Sequence, residues 1–452
     1  METFDGTILS SAAPAIARDF GVRANDIGIA LTAYLLAVAV FIPVSGWAAG
    51  RVGSRRLFCI AIVVFMGASI VCAISGSLLV FTLARIVQGI GASMMVPVGR
   101  LIVLRSTDKS QLLRAIAFLT WPALLAPVVA PLVGGLITQF VGWPWIFYVN
   151  LPTGAILLFF AFRIIPRGGK RITIPLDVLG IIGFGATVVT LLLGLDSLSK
   201  ADIRGLWLVG SAVVAGAFTI WWLRRARFPL LDLRVFSYPT FRVTNASGTW
   251  NRIAVSSAPY IFPLIFQVGF GWSPVEAGAI VMCVFLGNLA VKPVTGLIIR
   301  ALGFMPVIVV SATGFSATYV TFAFLGPRSP VVGIIAVLVL SGALRSLGLS
   351  AYGTIQFADI PALRMSSANT MSWTVMQVGS GLGVAISAVA IHAILITHLE
   401  QNPALGGPLA PYRGALILMA VFSLLSVVGA LRLPAGSGER LRVSGKPPSA
   451  GD

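Results

Sequence analysis

The sequence predicts an all-α, polytopic membrane protein with fourteen spans, and three observations predict it. Of 452 residues, 57% are hydrophobic and only 10% are charged, whereas a soluble domain carries about 25% charged residues. A chain of this size cannot cover a water-facing surface with so few charges. The apolar residues also fall into runs of roughly 20, the length of one membrane-crossing helix. Finally, basic residues alternate between the loops in step with those runs. Composition therefore excludes a soluble globular protein, a disordered chain and a disulfide scaffold. The 48 Gly and 26 Pro are many for soluble helices and ordinary for membrane ones.

The runs follow in order. The first, 3–17, is short: as a helix it rises about 25 Å, less than a ~30 Å hydrocarbon core, so the true start is expected upstream of Met1. Runs 27–49 and 57–75 flank a loop rich in Gly and Arg. Runs 78–104 and 113–139 carry isolated basic residues and a Pro/Gly series. The sixth, 145–165, opens at Trp143, Pro144 and Trp145. Runs 176–195 and 205–223 are bracketed by basic loops. Runs 246–268 and 275–298 meet at a short break, as do 305–325 and 331–351, so each pair is expected as an antiparallel hairpin. Runs 370–396 and 412–432 close the series. From 433 the chain is polar with Gly, Ser and Pro, and a disordered cytoplasmic tail is expected.

Charge fixes the orientation. With the N-terminus inside, 21 of the 32 Lys and Arg fall in cytoplasmic segments and six on the opposite side, while Arg85, Arg100, Arg252, Lys292 and Arg345 fall inside runs. This is the positive-inside bias, and one missed helix would scramble it. Both termini are expected in the cytoplasm, with the chain in the cytoplasmic (inner) membrane. The net charge of +18 thus marks the lipid surface and not nucleic acid. Cys59, Cys72 and Cys283 sit in apolar runs without CxxC spacing, and His392 and His398 form no metal motif. No metal and no cofactor are expected.

An internal echo divides the chain. Gly46, Arg51 and Gly53 after the second run are matched by Gly296, Arg300 and Gly303 after the tenth. Arg85 and Gly89 in the fourth run are matched by Arg345 and Gly348 in the twelfth. Eight runs separate the members of each pair. Two six-helix halves with two helices inserted between them produce that offset, and duplicated halves around a central site are a signature of secondary transporters. The expected organisation is 1–165 for the N-terminal half, 166–240 for the inserted helices and their loops, 241–432 for the C-terminal half and 433–452 for the tail.

The motifs resemble those of the major facilitator superfamily, in its fourteen-helix drug–proton antiporter family (the EmrB/QacA type), over nearly the whole chain. Asp5, Gly6, Thr7 and Ile8 through Pro14 resemble that family's first-helix string. Tyr34, Pro43 and the stretch from Gly46 to Arg56 resemble its second helix and the loop motif GxLADRxGRR. Arg85, Gln88, Gly89 and Gly91 resemble RxxQGxG. Pro127, Pro131, Gly134 and Gly135 resemble the fifth-helix antiporter motif. Trp143, Trp145, Phe147, Asn150 and Pro152 resemble WRWIFxINxP. Three departures stand out: Gly50 replaces the loop Asp that helps latch the halves, Ala130 replaces the first Gly of the antiporter motif, and Pro144 replaces the Arg of the WRW string.

The candidate residues follow. Asp5 is the only carboxylate well inside a run, and an intramembrane carboxylate is costly enough to imply function. It is the expected proton-coupling residue. By resemblance Arg85 modulates it; Arg85, Gln88 and Gly89 share one helix face at i, i+3 and i+4. The resemblance makes Gly46, Arg51, Gly53, Arg55 and Arg56 a gating loop, and Pro127, Pro131, Gly134 and Gly135 the seam that keeps the cavity from leaking. A substrate pocket is expected from Tyr34, Gln88, Trp121, Trp250, Arg252, Tyr260, Arg345 and Trp373, which combine apolar area with polar handles. Arg100 and Lys292 are discounted because long basic side chains snorkel to the interface. The remaining basic excess tilts the substrate from cationic drugs toward amphipathic anions or neutral compounds.

The expected function is a proton-coupled efflux antiporter exporting drugs or other amphipathic small molecules by alternating access. Its partners would be the small-molecule substrate, protons and the lipid bilayer; the sequence leaves open whether a periplasmic adaptor takes part. The alternatives are an exporter of a specific organic anion or metabolite, and a non-transporting membrane receptor. One internal acid with no central His cannot make a catalytic constellation, so an enzyme is not expected. A channel would need a repeated filter or charged ring.

Overall fold

The computed structural model describes residues 2–22, 24–107, 111, 115–116, 129, 133–134, 136–165, 175–200, 202–396, 409–434 and 436–439. Every regular element among them is helical. The first group comprises α1 (Glu2–Phe20), α2 (Gly28–Val52), α3 (Ser54–Ile74), α4 (Leu78–Ser106), α5 (Trp145–Tyr148) and α6 (Asn150–Ile164). α7 (Val178–Leu198) and α8 (Arg204–Arg225) form a hairpin. The last group comprises α9 (Pro239–Ser256), α10 (Ala258–Leu264), α11 (Pro274–Leu302), α12 (Phe304–Phe324), α13 (Val331–Ile355), α14 (Met365–Ile396) and α15 (Ala410–Ala430). Eleven helices among the described residues are long and apolar enough to cross a membrane. α1 and α9 are not among the eleven, and most of the run at 113–139 lies outside the described residues.

Small residues let the helices approach. In the first group α4 packs on both α2 and α3. A Cβ on Gly89 would lie 2.7 Å from the Tyr34 carbonyl oxygen of α2, and one on Gly91 would lie 3.1 Å from the Ala61 carbonyl oxygen of α3. In the last group α11 and α13 touch through Gly287 and Gly342, where a Cβ would come within 1.9 Å of the Val339 and Val284 carbonyl oxygens. Lipid offers no hydrophobic drive for helix association, so van der Waals contact at such seams must supply it.

The internal echo has a structural counterpart. Gly53 and Gly303 each adopt φ 93°, and each is the single residue between two helices, α2 and α3 in one case and α11 and α12 in the other. Only Gly takes that φ without a steric penalty. The same chain reversal therefore occurs at both members of the sequence pair.

The α7–α8 hairpin is anchored at Asp177. Its carboxylate caps α7 by accepting from Gly180 N at 2.8 Å, and it also accepts from Trp222 Nε1 at 2.8 Å and Leu230 N at 2.9 Å. α7 packs on α2 of the first group and α14 of the last. The hairpin thus braces the junction between the two groups.

One boundary differs from the sequence reading. The ninth run was placed at 246–268, yet α9 starts at Pro239 and continues through α10 and a π-helical turn, Ile265–Gly269. Thr240, Thr244 and Asn245 are buried against neighbouring helices, so the first turns are helical without being apolar. Pro259 and Pro263 lack N–H donors, which explains the breaks along this segment. Residues of the 433–452 segment, expected as a disordered tail, also make contacts with the helices. Leu433 is buried with the core residues of α12 and α13, Ser437 Oγ lies 3.3 Å from Thr240 Oγ1, and Gly438 sits against Phe304. Residues 440–452 lie outside the described residues.

Candidate functional site

The polar residues cluster at two places linked by α4. At the first, Asp5 of α1 and Arg85 of α4 form an ion pair with both side chains fully buried. Taking two charges out of water costs several kcal/mol per ion unless further hydrogen bonds satisfy them. Here they are partly supplied. Asp5 Oδ1 accepts from Gln88 Nε2 at 3.1 Å and from Asn150 Nδ2 at 3.0 Å. Arg85 Nη1 also donates to Gln88 Oε1 at 2.6 Å. Gln88 Nε2 donates to Ser69 Oγ at 2.8 Å, which ties α3 into the network. The Arg85 guanidinium lies 4.2 Å from the centre of the Tyr34 ring, a cation–π contact. Two Arg85 nitrogens, Nε and Nη2, have no hydrogen-bond partner among the described residues.

This arrangement holds one titratable carboxylate against one fixed cation. While Asp5 is ionised the two charges cancel. A proton on Asp5 would leave the guanidinium buried and uncompensated, which is strongly unfavourable. One end of the cluster is closed by Phe20, Phe81, Trp143 and Phe147, packed edge to face with ring centres 5.6 to 6.3 Å apart. Trp143 Nε1 hydrogen-bonds Asp19 on α1, which fixes that aromatic plug.

At the second place a cavity of about 540 Å³ lies between the two helix groups, within the ~300–1,000 Å³ usual for small-molecule sites. Its two walls differ. Phe58 of α3 with Met95, Val96, Val103 and Leu104 of α4 make one side apolar. Arg252 of α9, Lys292 of α11 and Arg345 of α13 make the other side basic. Arg100 joins from α4 and reaches across: its Nη2 donates to the Gly353 carbonyl of α13 at 2.7 Å. Its guanidinium lies 5.1 Å and 5.6 Å from the rings of Phe357 and Trp373. Lys292 Nζ donates to Ser350 Oγ at 2.6 Å. No residue lining the cavity is acidic among the described residues.

Arg100 and Lys292 therefore correct the sequence reading. They are buried at 6% and 7% exposure and line the cavity, where snorkelling to the interface was expected. Their positions in α4 and α11 alone carry no signal of this, because only the packing decides which way a helix faces.

The other candidates divide between the two places. Arg252, Arg345 and Trp373 line the cavity. Tyr34 and Gln88 belong to the Asp5 cluster. Trp250 is 40% exposed and stacks on Phe422 at 5.4 Å, and neither it nor half-buried Tyr260 lines the cavity. Gly46 of α2 meets Thr370 of α14, where a Cβ would lie 2.3 Å from Oγ1, so this end of the loop motif touches the opposite group. Arg55 instead donates to the Phe162 carbonyl of α6 at 2.6 Å, and Arg51 stacks on Trp47 within α2. Arg56 is exposed. Gly134 is helical and buried; Trp121, Pro127, Pro131 and Gly135 lie outside the described residues. Ser69 was not anticipated at all. Asn150 was legible only as one letter of the WRWIFxINxP resemblance.

Comparison with known proteins agrees with this architecture. A family model described as Major Facilitator Superfamily matches residues 1–384. A protein of Serratia proteamaculans provisionally named multidrug resistance protein MdtD is 34% identical over 397 residues, covering 86% of this chain and 82% of that protein. Its namesake in Klebsiella pneumoniae (strain 342) is 31% identical over 407 residues, covering 89% and 86%. Among solved structures, the human organic anion transporter MFSD10 superposes with TM-score 0.68 at 13% identity, covering 95% of this chain and 98% of that one. A bacterial homologue of the iron transporter ferroportin, in an outward-facing state, superposes with TM-score 0.60 at 15% identity, covering 95% and 98%. At such identities the two structures bear on the fold alone.

Proposed function

We propose that this chain, which belongs to the Major Facilitator Superfamily, is a proton-coupled exporter of amphipathic, drug-like small molecules across the cytoplasmic membrane. The observation that carries the reading is the buried Asp5–Arg85 pair on α1 and α4, set apart from a substrate-sized cavity on the same α4. Arg85 and Arg100 are 15 positions apart, ~22 Å along a helix. A proton event and a substrate event can therefore act on one helix without sharing a site. The multidrug-resistance names of relatives at 31–34% identity support the substrate side of the reading.

In this mechanism the chain crosses the membrane fourteen times with both termini in the cytoplasm. The cavity takes substrate from the cytoplasm or inner leaflet. Protonation of Asp5 from outside breaks its charge balance with Arg85, and release of that proton inward resets the pair. Gly46 against Thr370 and Arg100 against Gly353 serve as contacts between halves that must part during the cycle. Inverted membrane vesicles, made acidic inside and loaded with a pH-sensitive dye, test the coupling. Substrate-triggered proton efflux in the wild type and none in Asp5→Asn supports antiport. Equal efflux from both would remove it.

A further inference from the structure

Resting on the transport reading, the two walls of the cavity name the substrate: we infer that it is an amphipathic organic anion, bound head-first against Arg252, Lys292 and Arg345 with its apolar body on α3 and α4. The first ground is charge. Four basic side chains line one cavity, and none makes an ion pair with a carboxylate among the described residues. Burying a charge is costly unless a counter-charge meets it. An organic cation would add to the repulsion; an anion would relieve it. Arginine also grips carboxylate or sulfonate with two parallel hydrogen bonds.

The second ground is unmet hydrogen bonding. Arg345 Nε, Asn288 Nδ2, Ser346 Oγ and Trp373 Nε1 are buried on cavity-lining residues without a hydrogen-bond partner among the described residues. Buried polar atoms are normally partnered. Arg345 Nε, Asn288 Nδ2 and Trp373 Nε1 are donors only, and an anionic head is an acceptor only, so their needs are complementary.

The third ground is asymmetry. Three of the four basic residues, Arg252, Lys292 and Arg345, come from the last helix group, which also supplies Leu349, Val375 and Met376, whereas Phe58, Met95, Val96, Val103 and Leu104 come from the first. A small inorganic anion would leave that apolar wall unused. An amphipathic one spans both groups, so its binding reports on their relative position. One-for-one exchange of a monoanion outward for a proton inward moves two positive charges inward per cycle. The same exchange with a monovalent cation moves none.

Three compounds with one ring system test this: 2-naphthoate, 2-naphthalenemethanol and (2-naphthyl)trimethylammonium. Binding to the purified chain in lipid nanodiscs is measured by calorimetry against empty nanodiscs. The anion should bind roughly tenfold or more tightly than the other two, the scale of one hydrogen bond to a charged group. Arg252→Gln and Lys292→Gln should each collapse that preference, and Arg252→Lys should keep part of it. Equal affinities, preference for the ammonium compound, or an unchanged preference in both Gln variants would overturn the assignment. Proton flux in proteoliposomes separates the two readings. Selective naphthoate binding without Asp5-dependent flux would sink proton coupling and leave the anion site standing. Flux driven by the ammonium compound alone would do the reverse.

Discussion

Asp5 and Arg85 meet as a fully buried ion pair although 80 positions separate them in the chain. Gln88, one turn beyond Arg85 on α4, bonds to both members: its Oε1 accepts from Arg85 and its Nε2 donates to Asp5. The pair is therefore a three-residue unit in which charge, hydrogen bonding and helix packing are linked. It ties α1 to α4, the helix that also contributes to the apolar wall of the cavity.

Replacing Asp5 by Asn should destabilise the protein and abolish coupling. Arg85 would stay buried without its counter-charge, and breaking a buried pair from one side costs about 3–5 kcal/mol. A thermal-unfolding midpoint in detergent should fall. The double variant Asp5→Asn with Arg85→Gln should recover much of that loss yet show no substrate-triggered proton flux. Unchanged flux in either variant would contradict the role given to Asp5.

Arg85→Lys should fail despite keeping the charge. Arg85 Nη1 serves Asp5 and Gln88 together while the guanidinium plane covers Tyr34. A lysine ammonium could donate to both acceptors from its one nitrogen, but it has no plane to lay over the Tyr34 ring. Weakening a desolvated cation–π contact worth about 2 kcal/mol corresponds to as much as roughly thirtyfold in rate. Dye-reported flux at matched protein levels measures it.

Close helix contacts give a steric prediction. A side chain at Gly89 would meet the Tyr34 carbonyl oxygen and the Ala37 Cβ below 3.0 Å, and one at Gly287 would meet the Val339 carbonyl oxygen at 1.9 Å. Overpacking costs about 1–3 kcal/mol, so Gly89→Val and Gly287→Ala should lower the yield of folded, monodisperse protein on size-exclusion chromatography. Gly67→Ala, where the added carbon meets nothing within 4 Å, should match the wild type.

Arg100 should act as a latch between halves. Its hydrogen bond to the Gly353 carbonyl joins α4 to α13, and Asn369 Nδ2 on α14 adds a bond to the Pro97 carbonyl at 2.9 Å. Spin labels at the exposed positions Arg105 and Leu363 would report the gap between halves by pulsed dipolar spectroscopy. Arg100→Ala should shift the distance distribution toward the more open population. An identical distribution would show that Arg100 does not hold the halves.

The helices were legible because membrane burial writes long apolar runs. The runs at 27–49, 57–75 and 305–325 match α2, α3 and α12 within a few residues. The reading missed the start of α9 because its first turns carry Thr240, Thr244 and Asn245, which face protein and not lipid. Asp5 and Arg85 were nameable singly, since each is an isolated charge in an apolar run. Ser69 was not, because a serine in a membrane helix is commonplace. Trp250 shows the converse: an aromatic ring in a run fits a pocket or an outer face equally well, and it stacks on Phe422 at 40% exposure.

By itself the sequence determined what each segment is: an apolar helix, a basic loop, a Gly-marked reversal at Gly53 and again at Gly303. It also marked Asp5, Arg85, Arg252 and Arg345 as charges inside apolar runs, while assigning Arg100 and Lys292 to the interface that the structure shows they do not reach. Tertiary structure alone decided what those charges meet. Helix period and hydropathy constrain a residue's neighbours along one helix, whereas contacts between helices depend on rotation and on backbone approach at residues such as Gly89 and Gly287. For that reason Arg85 faces an acid while Arg252, Lys292 and Arg345 face a shared cavity, although all four occur as isolated basic residues in apolar sequence.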